Sequence, residues 1–461
     1  MQTIFAPITS PSRAGISVIR ISGGEVLECL QTLGFKGAPQ HQKVSLQKIL
    51  DPKNSQIIDE ALISFFQAPR SFTGEDVAEI SIHASSFILK KILEILSGQK
   101  NCRIAEAGEF SKRAFLNGKL DLVQAEAIPD LIAAETESQH RQALQQLEGA
   151  LGTIYADWRF RLIEITARIE AAIDFPDEDL PQNIVDAVEQ DVKNLRQEIT
   201  KHLDDKKIGQ KIKDGLSLAI IGAPNVGKSS LINFLAQSEV AIVSEFAGTT
   251  RDVVEVHLSI VGVPVRISDT AGLRETSDPI EKEGIRRALQ KAASADIKIF
   301  LLDATNPILR EDLIDENTIV VVNKIDLTTA TRRLSKVETR EDYSVNIEAG
   351  TFPGFDSAQP TGLVCGISLA NNTNISELIS KLEEKILELI PAQTSPLITQ
   401  ERYRVALQEC VENLHSFSLQ KNIELAAEDL RLTARAIGKI IGDVGVENIL
   451  DVIFSRFCIG K

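Results

Sequence analysis

The sequence predicts an α+β amino-terminal domain, an all-α helical domain split into two segments, and an α/β domain inserted between those segments. Three observations carry this. Short apolar runs of strand character precede residue 119; apolar residues recur three or four apart on both sides of the middle region; and the middle alternates strands with glycine-rich loops and helices. At about 150 residues per domain, the length allows roughly three domains.

In residues 1–118, Val18–Ile21, Ala61–Phe66 and Val77–Ile82 read as strands and Phe87–Leu96 as a helix, with turn-rich pieces between them. The first helical segment spans 119–214. There Leu144, Leu147, Leu151, Ile154, Trp158, Leu162, Ile165, Ile169 and Ile173 predict one long amphipathic helix. Its end is set before Pro176, which lacks the amide hydrogen that a helix interior needs. Residues 215–377 form the inserted domain, with strands expected at 216–221, 253–260, 263–268, 297–302, 318–322 and 363–367 in a parallel sheet. The second helical segment, 378–461, shows helical spacing through Leu378, Leu382, Ile386 and Leu389 and again over 425–441. The polar stretch Thr328–Thr361 is long enough for a flexible insert, and no function is assigned to it.

Fifty basic against 65 acidic residues give a net charge of −15, which excludes a surface coated throughout by nucleic acid and leaves room for local basic patches. Cys29, Cys102, Cys365, Cys410 and Cys458 show no paired CxxC spacing, so neither a disulfide scaffold nor a structural zinc site is expected, and a reducing cytoplasm fits. No basic segment precedes an apolar stretch at the start, and no apolar run reaches membrane-spanning length. The expectation is a cytoplasmic protein without a membrane partner.

Gly222-Ala-Pro-Asn-Val-Gly-Lys-Ser229 stands between an apolar strand and a helix-compatible Ser230–Ala236, the context of a phosphate-binding P-loop. Its backbone amides would surround phosphates, Lys228 would neutralise them, and the Ser229 hydroxyl would ligate Mg²⁺. Three more elements follow in order. Gly248-Thr-Thr-Arg-Asp252 supplies the Thr250 hydroxyl to a loop over the metal, and Asp269-Thr-Ala-Gly272 offers a carboxylate and the Gly272 amide near the γ-phosphate. Asn323-Lys-Ile-Asp326 follows an apolar strand, and its aspartate can accept two hydrogen bonds from a guanine edge. Together the four elements predict a GTP-hydrolysing domain.

Leu273 occupies the position where signalling GTPases carry a water-orienting glutamine. Two acidic residues, Glu281 and Glu275, are candidates for that task. Arg251, Arg266 and Arg274 lie nearby without forming an evident arginine finger, so a cation could neutralise the transition state, with the Asn225 amide oxygen available to it.

Val18-Ile-Arg-Ile-Ser-Gly23, Ser71-Phe-Thr-Gly-Glu-Asp76, Ala107-Gly-Glu-Phe-Ser-Lys-Arg-Ala-Phe-Leu-Asn117, Gln124-Ala-Glu-Ala127, Ala172-Ile-Asp-Phe-Pro-Asp-Glu178 and Phe457-Cys-Ile-Gly-Lys461 occur in an order that resembles the MnmE (TrmE) family of tRNA-modifying GTPases. The resemblance covers essentially the whole chain. It implies a folate-binding, dimerising amino-terminal domain, a discontinuous helical domain, and an inserted P-loop G domain of the TrmE–Era–EngA type. Also implied is K⁺ activation, through the Asn225 side chain and a loop in which Ser244, Phe246 and Thr249 contribute, coupled to G-domain dimerisation. Glu281 matches the family's catalytic glutamate. The implied nucleotide-binding set is Asn225, Val226, Gly227, Lys228, Ser229 and Ser230; Ser244, Glu245, Phe246, Ala247, Gly248, Thr249 and Thr250; Asp269, Thr270, Ala271 and Gly272; and Asn323, Lys324, Asp326 and Ser368.

By the same resemblance, Arg20, Glu79, Lys119 and Lys461 match a site for 5-formyl- or 5,10-methylene-tetrahydrofolate, and Cys458 is a candidate functional thiol beside it. The implied reaction places a carboxymethylaminomethyl or aminomethyl group on C5 of the wobble uridine of certain tRNAs. A homodimer would carry it out in a heterotetramer with MnmG, the partner that holds FAD and uses NADH. Departures from the family pattern are Ala84-Ser-Ser86 after His83, where glycines are usual, Gly366-Ile-Ser-Leu369, where Ser-Ala is usual, and the length of the 328–361 insert. Two other classes compete: a GTPase switch in ribosome assembly or signalling without a part in the chemistry, and a folate-dependent one-carbon transferase with a regulatory nucleotide module.

Overall fold

The computed structural model describes residues 1–10, 14–174, 182–238, 256–268, 294–308, 310–327, 363–391, 396–419, 423–443, 447–455 and 457–460. It divides into two compact units, one of Met1–Pro129, Gln145–Lys201 and Arg402–Lys461, the other of Asp130–Leu144 and His202–Glu401.

In the first unit, β1 (Thr3–Pro7), β2 (Ile16–Ser22), β3 (Val44–Leu50), β4 (Ile57–Phe66), β5 (Val77–His83) and β6 (Cys102–Ile104) form one sheet in the order β3-β4-β5-β2-β1-β6. Only β6 runs parallel to its neighbour, β1. Alternation along β4 turns Ala61, Ile63 and Phe65 inward, onto a core shared with Phe5, Ile19, Ile21 and Ile80. The helices Val26–Thr32 and Ser86–Ser97 close that core with Leu30, Ile92 and Leu96. The three expected strands are present within β2, β4 and β5.

The Ser71–Asp76 and Ala107–Asn117 motifs meet in a buried ionic network. Arg113, 3% exposed, donates to Glu75 Oε2 at 2.9 Å, to Glu109 Oε1 at 3.0 Å and to the Gln2 carbonyl at 2.7 Å. Arg103 forks onto both oxygens of Glu109 at 2.6 and 2.7 Å, while Ser22 Oγ donates to Glu75 and the Asn117 amide donates to the Thr73 carbonyl. These residues weld the loop before β5 to the helix Glu109–Leu116.

The single long helix expected across Leu144–Ile173 is two helices, Glu137–Leu147 and Ala150–Asp174. Gly149 breaks it with a backbone φ of +89°, and the Gln124 amide caps the Leu147 carbonyl at 2.9 Å. Ala150–Asp174 packs along Ile423–Ile441, so segments on both sides of the insertion share one bundle. At its base Glu126 accepts hydrogen bonds from Arg402 Nε at 2.8 Å and from the Tyr403 hydroxyl. Burial first, and then the neighbouring Glu126 charge, push the Tyr403 phenol far above its usual pKa, so it stays a donor.

The second unit holds β7 (Leu216–Gly222), β8 (Val256–Ile260), β9 (Val263–Ser268), β10 (Ile297–Asp303), β11 (Thr318–Asn323) and β12 (Leu363–Gly366), ordered β12-β11-β10-β7-β9-β8. Five strands are parallel. β8 departs from the expected all-parallel pattern and runs antiparallel to β9, because only Val261 and Gly262 separate them and a hairpin results. Helices on both flanks of the insertion contribute to this sheet's core. Ile208 and Ile212 of the helix Ile208–Asp214, and Leu378, Leu382 and Ile386 of the helix Ile375–Leu389, lie in the core of this sheet, within the unit of Asp130–Leu144 and His202–Glu401. No helix among the described residues is long and apolar enough to cross a membrane. The 328–361 insert lies outside the described residues.

Burial raises the Glu109 carboxyl, but Arg103, the Glu106 N–H and Arg113 outweigh it and leave the pKa lowered. A depressed folded pKa contributes stability in full above the unfolded value of about 4.3, and that contribution is lost as pH falls through the folded value. Arg113→Met leaves two partly buried carboxylates without their shared cation. It should lower unfolding stability by about 3–5 kcal/mol at neutral pH and flatten the acid limb below about pH 4.3, as read by urea titrations across pH.

Candidate functional site

The carboxyl ends of β7, β10 and β11 gather the described part of the candidate nucleotide site, the edge where parallel sheets bind ligands. β7 is apolar and almost entirely buried, ends at Gly222, and is followed by the P-loop and the helix Lys228–Ala236. Asn225 and Gly227 take φ of +61° and +106°, the turns that bend the loop inward and start the helix. A Cβ at Gly227 would run into the Asn323 amide, so this position also needs glycine for close approach. Lys228 Nζ donates to the carbonyls of Ala223 at 2.8 Å and Gly222 at 3.1 Å, which holds its charge within the curl of the loop. Asn225, Ser229 and Ser230 are exposed, with Ser229 and Ser230 in the first helical turn.

Two side chains of the Asn323–Asp326 motif tie this loop to the end of β11. Asn323, 3% exposed, donates from Nδ2 to the Val226 carbonyl at 2.8 Å, and its Oδ1 accepts the Leu369 N–H at 3.3 Å. Lys324, at φ +63°, donates to the Asn225 carbonyl at 2.8 Å and pairs with Asp303 Oδ2 at 2.5 Å. Asp326 follows, exposed in the short helical turn Ile325–Leu327. Ser368 is fully buried. Its hydroxyl accepts the Asn371 N–H at 3.3 Å and its backbone pairs with Thr373, so it shapes the loop beside Asn323. Asp303 had no place in the sequence reading. The one signal available was its register position beside Asn323 at a strand end.

The structure therefore brings together Asn225, Val226, Gly227, Lys228, Ser229, Asn323, Lys324 and the Ser368 loop. Ser244, Glu245, Phe246, Ala247, Gly248, Thr249, Thr250, Asp269, Thr270, Ala271, Gly272 and Glu281 lie outside the described residues. Among the described residues no group of three or more His, Cys, Asp or Glu is arranged to hold a metal. A set for Mg²⁺ or K⁺ here would instead be hydroxyls, an amide and carbonyls. The exposed Ser229 and Asn225 at the mouth of the P-loop fit that donor chemistry.

In the first unit Arg20 and Glu79 are directly cross-strand on β2 and β5, and Arg20 Nε and Nη2 reach Glu79 Oε1 at 2.9 and 2.8 Å. The guanidinium also lies 5.2 Å from the Phe72 ring and 5.6 Å from that of Phe110. Lys119 Nζ donates to the Pro69 carbonyl at 3.0 Å, at the other end of the loop that carries Phe72. The chain returns to this sheet near its end. Phe457 packs with Phe454 and Leu122, the carbonyl of exposed Cys458 accepts the Gly108 N–H at 3.4 Å, Ile459 bridges to Ala107, and Gly460 sits against the Pro7 carbonyl. Pro7 and Ala6 pair with Ile19 and Arg20, so the tail reaches the strand next to Arg20. Lys461 lies outside the described residues.

Two family models match the chain. One, described as the MnmE helical domain, spans residues 122–458, and the other, the GTP-binding protein TrmE N-terminus, spans 3–119. The chain belongs to the MnmE family. Its MnmE relatives include the tRNA modification GTPase MnmE of Rickettsia akari, 45% identical over 467 residues, and that of Rickettsia typhi, 44% identical over 469, each match covering 100% of both chains. Among solved structures, Era from Aquifex aeolicus bound to GDP·AlF₄⁻ is 27% identical, covers 43% of this chain and 66% of its own, and has a TM-score of 0.26. In this MnmE-family chain, Asn323→Ala frees the Val226 carbonyl and the Leu369 N–H together. Affinity for a fluorescent guanine nucleotide should fall about tenfold or more, while the circular dichroism of the chain stays unchanged.

Proposed function

We propose that this chain is a GTPase of tRNA modification, activated by K⁺ and dependent on Mg²⁺, whose hydrolysis cycle drives a folate-bearing dimer. The observation that carries the nucleotide reading is the pair of bonds from Asn323 and Lys324 to the Val226 and Asn225 carbonyls. They set a base-recognition motif at a fixed distance from a phosphate loop. Asp326 accepts from the N1–H and the exocyclic amine of guanine, and adenine would leave that carboxylate facing an amine of its own. Lys228 and the amides at the start of Lys228–Ala236 hold the phosphates. Mg²⁺ at Ser229 and Thr250, and K⁺ at Asn225 with Ser244, Phe246 and Thr249, would neutralise charge developing between the β- and γ-phosphates. Glu281 orients the attacking water in place of the glutamine that Leu273 replaces.

The reading extends to the first unit. Arg20 and Lys119, with Lys461, offer cations to a tetrahydrofolate's carboxylates or ring oxygens, Glu79 accepts from an amino-pterin edge, and Phe72 gives an aromatic face. The folate, as 5-formyl- or 5,10-methylene-tetrahydrofolate, supplies the one-carbon unit. The partners are a second copy of this chain, tRNA with its wobble uridine, and an FAD-containing MnmG that uses NADH. Net acidity confines tRNA contact to local patches.

Glu281→Ala should keep GTP affinity within about twofold and lower turnover at least about a hundredfold in potassium buffer. Steady-state hydrolysis beside equilibrium binding checks this, and unchanged turnover removes Glu281 from its role. Asp326→Asn should weaken GTP and admit xanthosine triphosphate, read as a reversal of their binding ratio. In cells lacking this chain, the wild type should restore wobble-uridine modification and Lys228→Ala should not.

A further inference from the structure

Asp303 ends β10 directly beside Asn323 of β11, and the Ala304 N–H donates to the Asn323 carbonyl at 2.8 Å. Its carboxylate is held in a definite direction. Oδ1 accepts the Thr305 N–H at 2.9 Å and the Thr305 hydroxyl at 2.6 Å, which turns Oδ2 onto Lys324 Nζ at 2.5 Å. Lys324 in turn donates to the Asn225 carbonyl at 2.8 Å. Both members of the ion pair are largely shielded, with side chains 32% and 16% exposed for Lys324 and Asp303. Burial opposes the Asp303 charge, but the bonds from Lys324 and Thr305 outweigh it and hold the carboxyl below the usual aspartate value.

We infer that Asp303 is a positioning residue for guanine-nucleotide binding, aiming Lys324 at the P-loop so that the base-recognition turn and the phosphate loop are set at one spacing. The inference rests on the GTPase reading above and adds a residue outside all four of the sequence motifs on which that reading stands. The physical argument concerns the lysine. A four-carbon stem at a left-handed backbone position has many rotamers, and a carboxylate fixed by its own turn selects the one that reaches Asn225. Asn225 also carries the side chain proposed to hold K⁺, so the same strut bears on the activating ion.

The test is a double-mutant cycle on the full-length chain, with the dissociation constant of a fluorescent GDP as readout. Asp303→Asn keeps the shape and removes the charge, and it should weaken GDP about tenfold. Lys324→Ala should weaken it as much or more. The double variant should bind no more weakly than Lys324→Ala alone, because Asp303 acts through that lysine. Thr305→Val, an exposed substitution, should weaken GDP in the same direction by a smaller factor and gives a second reading if Asp303→Asn folds poorly. Wild-type affinity in Asp303→Asn and Thr305→Val overturns the inference, as does full additivity in the double variant, which a merely structural role would produce. A wild-type chain that binds no GDP overturns the GTPase reading, and this inference with it.

Discussion

Two hydrogen bonds carry the described part of the candidate nucleotide site. The Asn323 amide holds the Val226 carbonyl and the Lys324 ammonium holds the Asn225 carbonyl, across the end of the strand that separates β7 from β11. A parallel sheet delivers its loops to one edge, but it does not by itself fix the spacing between loops that are not neighbours. These two donors do. Because both acceptors are backbone carbonyls of the P-loop, the loop's shape and the placement of the Ile325–Leu327 turn are set together, and glycine at 227 is what lets the Asn323 amide come close.

Much of this was legible in the residues. A buried parallel strand shows as a continuous apolar run, so the strands around 216–221, 297–302 and 318–322 stand out, and the P-loop and Asn323–Asp326 motifs are tied to fixed geometry. β1 and β6 are short and β3 is an exposed edge strand, so none of the three has the contrast that periodicity detects. The helix break at Gly149 was hidden because the apolar spacing continues in step through it, and one glycine with φ of +89° costs a pattern reading nothing. Asp303 was silent for another reason. An aspartate after an apolar strand is common, and its meaning comes from its neighbour in the sheet, which only the strand order reveals.

The helix Ile375–Leu389 illustrates the same limit. Helical texture resumes at Ile375, and on pattern alone that helix belongs with the helical segments that follow. Its Leu378, Leu382 and Ile386 fill the core beneath the parallel sheet. Amphipathicity states that a face must be covered without naming what covers it. In the first unit the family motifs Ser71–Asp76 and Ala107–Asn117 have a structural part beside any functional one, because Glu75, Glu109 and Arg113 satisfy one another inside the protein.

The seating of residues 457–460 on Ala107, Gly108 and the end of β1 carries a consequence for biosynthesis. A ribosome must produce the whole of the inserted unit before the segment that seats against Ala107, Gly108 and Pro7 exists. The first sheet can form early in translation, yet its neighbourhood stays unfinished until the nucleotide-binding unit has been made. A chain interrupted anywhere in between would hold a folded beginning with an incomplete border, so intactness of the later parts is written into the architecture of the earliest one.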